Sequence, residues 1–199
     1  MNYLAHAYLS FHQPGILVGN MISDFIKGKK KFDYPAEVQK GIHLHRMIDA
    51  FTDDHAVTKE AKQIFRPFVG LYAGAFMDVV YDHFLAKDET EFPANGLAAF
   101  ATGTYDVLNN YTGILPDRFV VMLSYMTRQN WLLNYATTEG IEKSFGGVVR
   151  RAAYLTSSEA VFEAFMLNYD SLQHYYSAFF PEVKRFARDE LDKLNRNSF

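Results

Sequence analysis

The chain has 199 residues, 49% hydrophobic and 22% charged, which excludes a disordered protein and leaves enough length for one domain with a proper core. A formal charge of −3 argues against general nucleic-acid binding, which needs a basic surface to meet phosphate. There is no cysteine, so disulfides and thiolate metal sites are excluded, and any metal must be held by His, Asp, Glu or water.

The opening stretch MNYLAHAYLSFHQPGILVGN has no basic leader, and His6 and His12 interrupt its apolar run, so no signal peptide is read. No window reaches the roughly 20 uninterrupted apolar residues of a membrane helix. The expectation is a soluble cytoplasmic protein without a membrane partner. Apolar residues recur at helical spacing almost throughout, and the period-two alternation of strands is scarce. The pattern predicts an all-α fold, a single-domain helical bundle over 1–199, with helices near 2–10, 15–27, 36–54, 67–87, 93–111, 116–135, 138–152 and 158–194. Breaks are expected at Pro14, KGKKKFDYP, Pro67, KDETEFP and TGILP, and Pro181 should break or kink the last long helix. The aromatic share of 16% points to a core built largely from rings between helices.

In chain order, the first helix carries His6 beside Leu4 and Leu9. A lone histidine there is ordinarily a satisfied core residue and gains weight only in company. The second helix holds GNMISDF, where Asn20 and Asp24 stand one turn apart. The following IKGKKKF supplies Lys27, Lys29, Lys30 and Lys31, which form either a solvated turn or a basic docking surface, with Arg150 and Arg151 as possible additions.

The third helix contains GIHLHRMIDAFTDDH, with three histidines, three aspartates and an arginine. At about 100° per residue, His45, Asp49, Thr52 and Asp53 share one arc beside the apolar stripe of Leu44, Ile48 and Phe51. His43 lies roughly 200° from His45, so a regular helix cannot aim both rings at one point. Arg46 is about 60° from Asp49, within reach of the same cavity. A His and a carboxylate one turn apart can share a metal, and a guanidinium can grip phosphate bidentately; the competing reading is a solvated face with i,i+4 bonds. The fourth helix, AFMDVVYDHFLAKD, sets Asp78 and Asp82 one turn apart, with His83 adjoining, in an otherwise apolar run. Carboxylates there need cations, metals or donors, and an ion pair to Arg46 would serve equally.

MNYLAHAYLS, GNMISDFIKG, GIHLHRMIDAFTD and MDVVYDHFLA resemble the ordered motifs of the acyl carrier protein phosphodiesterase family, an unusual branch of the HD-domain phosphohydrolases. NWLLNY at 130–135 and SLQHYYSAFFP at 171–181 resemble later family features. The resemblance implies an all-helical, metal-dependent fold like a divergent HD domain, with manganese the expected ion. It implies hydrolysis of the phosphodiester that joins 4'-phosphopantetheine to a serine of acyl carrier protein, an acidic protein partner. The ordinary HD signature has an adjacent His-Asp pair; here the adjacent pair is reversed, as Asp82-His83. The metal candidates are therefore Asp24, His45, Asp49, Asp78 and Asp82, with His6 and His83 as ligands or supporting partners.

Arg46 would hold a phosphoryl oxygen, and His43 or His83 would protonate the departing serine oxygen because imidazole titrates near neutrality. Asn20 and the four lysines complete the substrate-binding set. Two other classes stay open: an HD-like phosphohydrolase of a nucleotide or other small phosphodiester, and a non-catalytic helical protein with buried polar networks.

Overall fold

The computed structural model describes residues 1–196. Among them the structure is helical throughout, with no strand: α1 Tyr3–Tyr8, α2 Pro14–Ile22, α3 Ala36–Asp54, α4 Ala56–Ala61, α5 Arg66–Val69, α6 Ala73–Ala86, α7 Gly96–Asn110, α8 Asp117–Gln129, α9 Trp131–Asn134, α10 Thr138–Arg151, α11 Glu159–Leu167 and α12 Tyr169–Arg196. No single helix among the described residues is long and apolar enough to cross a membrane.

The all-α expectation holds, and α3 has the predicted limits. Three predicted helices are instead split. The one expected over 67–87 divides into α5 and α6 at Gly70, whose φ of 54° ends the first piece. The one over 116–135 divides at Asn130, also left-handed at φ 47°, and the one over 158–194 divides at Asn168. The segment left as a connection after residue 54 forms α4. Pro181 does not break the last helix, which runs through it. Its ring removes the bond to the carbonyl of Ser177, but both residues face solvent, where water can serve that oxygen.

The core is a run of rings, as the composition suggests. Phe145 of α10 meets Phe65, Phe76 of α6 and Phe165 of α11 edge-on, while Tyr81 stacks on Phe179 of α12 at 4.6 Å. Around this core, one crossing fixes the positions that matter for chemistry. A Cβ on Gly19 of α2 would fall 2.0 Å from the Val38 carbonyl oxygen, and one on Gly41 of α3 would fall 2.2 Å from that of Ile16. Only glycine lets these two backbones touch. The close approach puts Asn20, next to Gly19, against His45, one turn beyond Gly41.

Candidate metal centre

The site starts from α1, a helix too short to be stable alone. Two of its free first-turn N–H groups, those of Leu4 and Ala5, donate to the two oxygens of Asp82 on α6 at 2.7 and 3.1 Å. A carboxylate at a helix N-terminus satisfies these donors and favours the helix dipole. Asp82 is fully buried, and burial pushes its pKa up to about 7 against the pull of the Leu4 N–H. Anchored this way, α1 delivers His6 onto His45 of α3, the two rings stacked at 3.9 Å.

Asn20 orients both rings. Its amide nitrogen donates to the His6 carbonyl and the Ser10 hydroxyl, so its Oδ1 is left to accept from His6 Nδ1 at 2.8 Å. The Asn20 backbone carbonyl accepts from His45 Nδ1, also at 2.8 Å. With both protons assigned to Nδ1, each Nε2 of a neutral ring presents a lone pair. Both lone pairs point at carboxylates. His6 Nε2 stands 3.1 Å from Asp49 Oδ1, and His45 Nε2 stands 3.1 Å from Asp49 Oδ2 and 3.3 Å from Asp24 Oδ1. Acceptor facing acceptor is repulsive unless positive charge lies between them, either a second proton on a ring, as on His45, or a metal ion. Ligand atoms of His6, His45 and Asp49 lie within 4.8 Å of one another, so this donor set fits a metal ion, held by imidazole and carboxylate with Nδ1 bonds fixing the rings.

The titrations express the same demand for positive charge. Burial, then the neighbouring His45, lowers the pKa of His6 to about 4. Burial also works against charge on His45, but Asp24 and Asp49 outweigh it and raise its pKa to about 9. Asp49 is held well below the carboxylate range by the close approach of His45, then of His6 and the Met1 ammonium, which overcomes its burial. Asp24 is lowered chiefly by its bond to His45. Beside them, the Met1 ammonium lies 3.0 Å from Asp78 Oδ1 and 3.3 Å from Asp49 Oδ1.

The cluster opens into a cavity of about 470 Å³, which Arg118 of α8, Arg151 at the end of α10, Met122 and Tyr3 also line. Tyr3 gives its hydroxyl proton to the thioether of Met122 at 3.2 Å, a weak acceptor, and burial pushes its pKa up to about 12. A second cavity, about 540 Å³, lies beyond Ala7 and Tyr8 and is walled largely by Leu17, Phe92, Phe100 and Val107, away from this chemistry.

The structure brings together six residues named from the sequence: Asn20, Asp24, His45, Asp49, Asp78 and His6. It separates the others. Asp82 was placed among the ligands, but both its oxygens cap α1. His83 points the other way from Asp82: its Nδ1 donates to the Tyr135 carbonyl at 2.7 Å, and its Nε2 accepts from the Tyr169 hydroxyl at 2.8 Å. His43 is exposed, on the far face of α3, because residues 41–43 are already helical. Arg46 donates to the Ile26 carbonyl at 3.1 Å instead of lining the cavity. Asn20 was expected to touch substrate, yet it is 1% exposed and its polar atoms are engaged inside the protein. Lys27, Lys29 and Lys30 are exposed outside the cavity, with Lys31 over the Phe32 ring.

Sequence reasoning passed over Tyr3 and Arg118 and named Arg151 only as a surface charge. Tyr3 had a signal, since it precedes His6 by three residues and shares its helix face. Arg118 had none, because its approach to the cavity is purely tertiary.

Comparison with known proteins agrees along the whole chain. The family described as acyl carrier protein phosphodiesterase matches residues 1–183. A protein of that name from Klebsiella pneumoniae (strain 342) is 32% identical over 197 residues, covering 96% of this chain and 99% of the relative. Its namesake from Enterobacter sp. (strain 638) is 30% identical over 191 residues, with 96% and 99% covered. That of Photorhabdus laumondii is 28% identical, with 96% of each chain covered. No solved structure matches.

Proposed function

The chain belongs to the acyl carrier protein phosphodiesterase family, and on that premise we propose that His6, His45 and Asp49 hold a divalent ion beside a pocket for the phosphodiester of holo-acyl carrier protein. The protein is a phosphoric diester hydrolase. Water adds across the bond between phosphorus and the carrier's serine oxygen, giving apo-carrier protein with a free serine hydroxyl and 4'-phosphopantetheine. The observation that carries the metal reading is the pair of Nε2 lone pairs aimed at one carboxylate.

A divalent ion, manganese being the first to try with these nitrogen and oxygen donors, would supply Lewis-acid chemistry, acidifying a water and offsetting phosphoryl charge. Asp24, 74% exposed at the cavity and 3.3 Å from His45, extends the donor set outward. Arg118 and Arg151 take the role the sequence gave to Arg46, binding the non-bridging oxygens of the diester. Tyr3 takes the role given to His43 or His83. Its hydroxyl is protonated at neutral pH and can leave the Met122 sulfur to donate to the departing serine oxygen. The exposed Lys27, Lys29 and Lys30, with the half-buried Lys31 beside them, would draw in the acidic carrier protein. Kinship with HD-domain phosphohydrolases belongs to the same proposal. Its support is the convergence of α1 and α3 on one ion position, and not the Asp82–His83 pair.

Purified protein incubated with Mn2+ and holo-acyl carrier protein should remove the mass of the phosphopantetheine arm, and chelation should stop the loss. Holo-carrier protein left intact with Mn2+ present would contradict the reading.

A further inference from the structure

The carrier protein must rest on the rim of the cavity, because the scissile phosphorus is only a few bonds from the carrier's own backbone. Part of that rim is α8, DRFVVMLSYMTRQ. Phe119, Leu123 and Met126 bury one side of this helix, and Met122 borders the cavity. At about 100° per residue, Arg118, Val121, Tyr125 and Arg128 fall together on the opposite side, within about 80° of one another.

Val121 is 60% exposed and Tyr125 is 45% exposed. Single exposed apolar residues are ordinary. These two are one turn apart, beside an arginine that lines the site, and the Arg128 guanidinium lies 4.9 Å over the Tyr125 ring. The helix has one acid, Asp117, against two arginines. Phe25, two residues before Lys27, packs on Phe119 at 5.4 Å, so the lysine loop begins beside the same helix. A basic face with an apolar centre, at the mouth of a phosphodiester pocket, matches an acidic partner that offers an apolar contact.

We propose that the outer face of α8 is the surface on which the carrier protein docks, with Val121 and Tyr125 as its apolar anchors. This rests on the carrier-protein reading above. An aromatic flanked by arginines is the composition that dominates binding at protein interfaces. The lysine loop then acts at longer range, on the encounter, and α8 acts on the docked complex.

The test is steady-state hydrolysis of holo-acyl carrier protein with Mn2+, comparing wild type, the pair Val121→Asp with Tyr125→Glu, and the milder pair Val121→Ala with Tyr125→Ala. The acidic pair should raise KM at least about tenfold and the alanine pair about threefold, with kcat within about twofold of wild type and unchanged melting temperature. Wild-type KM in either pair overturns the proposal. A fall in kcat at unchanged KM overturns it too, since that places the effect in the site. Wild-type protein that sediments as a dimer dissolved by the acidic pair overturns it in favour of a second copy of the chain. A wild-type protein that never releases phosphopantetheine removes the carrier-protein reading itself, and this inference with it.

Discussion

His45 and His83 begin alike and end differently. Both are buried, and each Nδ1 donates to a backbone carbonyl, of Asn20 at 2.8 Å and of Tyr135 at 2.7 Å. The difference lies at the other nitrogen. His83 Nε2 receives a proton from Tyr169, whose oxygen accepts in turn from Lys87, so every group in that network is satisfied. His45 Nε2 faces Asp24 and Asp49, which have no proton to give. His83 is satisfied by its neighbours alone, whereas His45 faces carboxylates that call for positive charge at its Nε2, which a second ring proton or a metal ion can supply.

The sharpest way to break this comparison is to exchange the two residues' fates by mutation. His45→Ala should reduce hydrolysis of holo-acyl carrier protein to background while the helical circular dichroism is retained, since the ring's main bonds are to the site. Substantial turnover in that variant would remove His45 from the ion. Next, Tyr3→Phe should lower kcat about a hundredfold, as expected for loss of a general acid, with little change in KM. An unchanged kcat would return the proton-donor role to an unassigned group.

Asn20→Ala removes the side-chain acceptor that orients His6 Nδ1 and keeps the backbone carbonyl that holds His45 Nδ1. It should weaken Mn2+ affinity by between about 10- and 100-fold, read by titration. The smallest effect on activity belongs to His83→Gln, whose turnover should match wild type while its stability falls by about 1–3 kcal/mol through the unpaired Tyr135 and Tyr169 groups.

His83 also predicts a pH dependence. Burial lowers its pKa from 6.5 to about 4, so the unfolded chain binds a proton that the folded chain refuses. The stabilisation is complete above pH 6.5 and is lost as pH falls through 4. Chemical denaturation in His83→Gln should show a shallower acid limb in that window, where His6 shifts in the same direction and Asp82, raised by burial to about 7, works in the opposite one. An acid limb as steep as wild type would place the lost stability elsewhere.

The sequence made the frame of the site legible because its logic is local. The wheel of α3 separated His43 from His45 and aligned His45 with Asp49, and the structure has that arrangement. Asp82 and His83 were misjudged for the opposite reason. Their partners, the N–H groups of Leu4 and Ala5 and the carbonyl of Tyr135, are distant in sequence and are backbone atoms, which carry no residue-type signal. Helix limits followed the same division. A long apolar period predicted one helix where the backbone turns left-handed at Gly70 and Asn130, since periodicity registers what is buried and not where φ changes sign. Arg118 and Arg151 reach the cavity only through the packing of α8 and α10, which no spacing encodes.

The most direct measurement is Mn2+ binding followed by electron paramagnetic resonance in three proteins: wild type, His45→Ala and His83→Gln. The account predicts that wild type and His83→Gln bind the ion with equal affinity and that His45→Ala does not bind it. Binding by His45→Ala equal to wild type, or loss of binding in a folded His83→Gln, would contradict it.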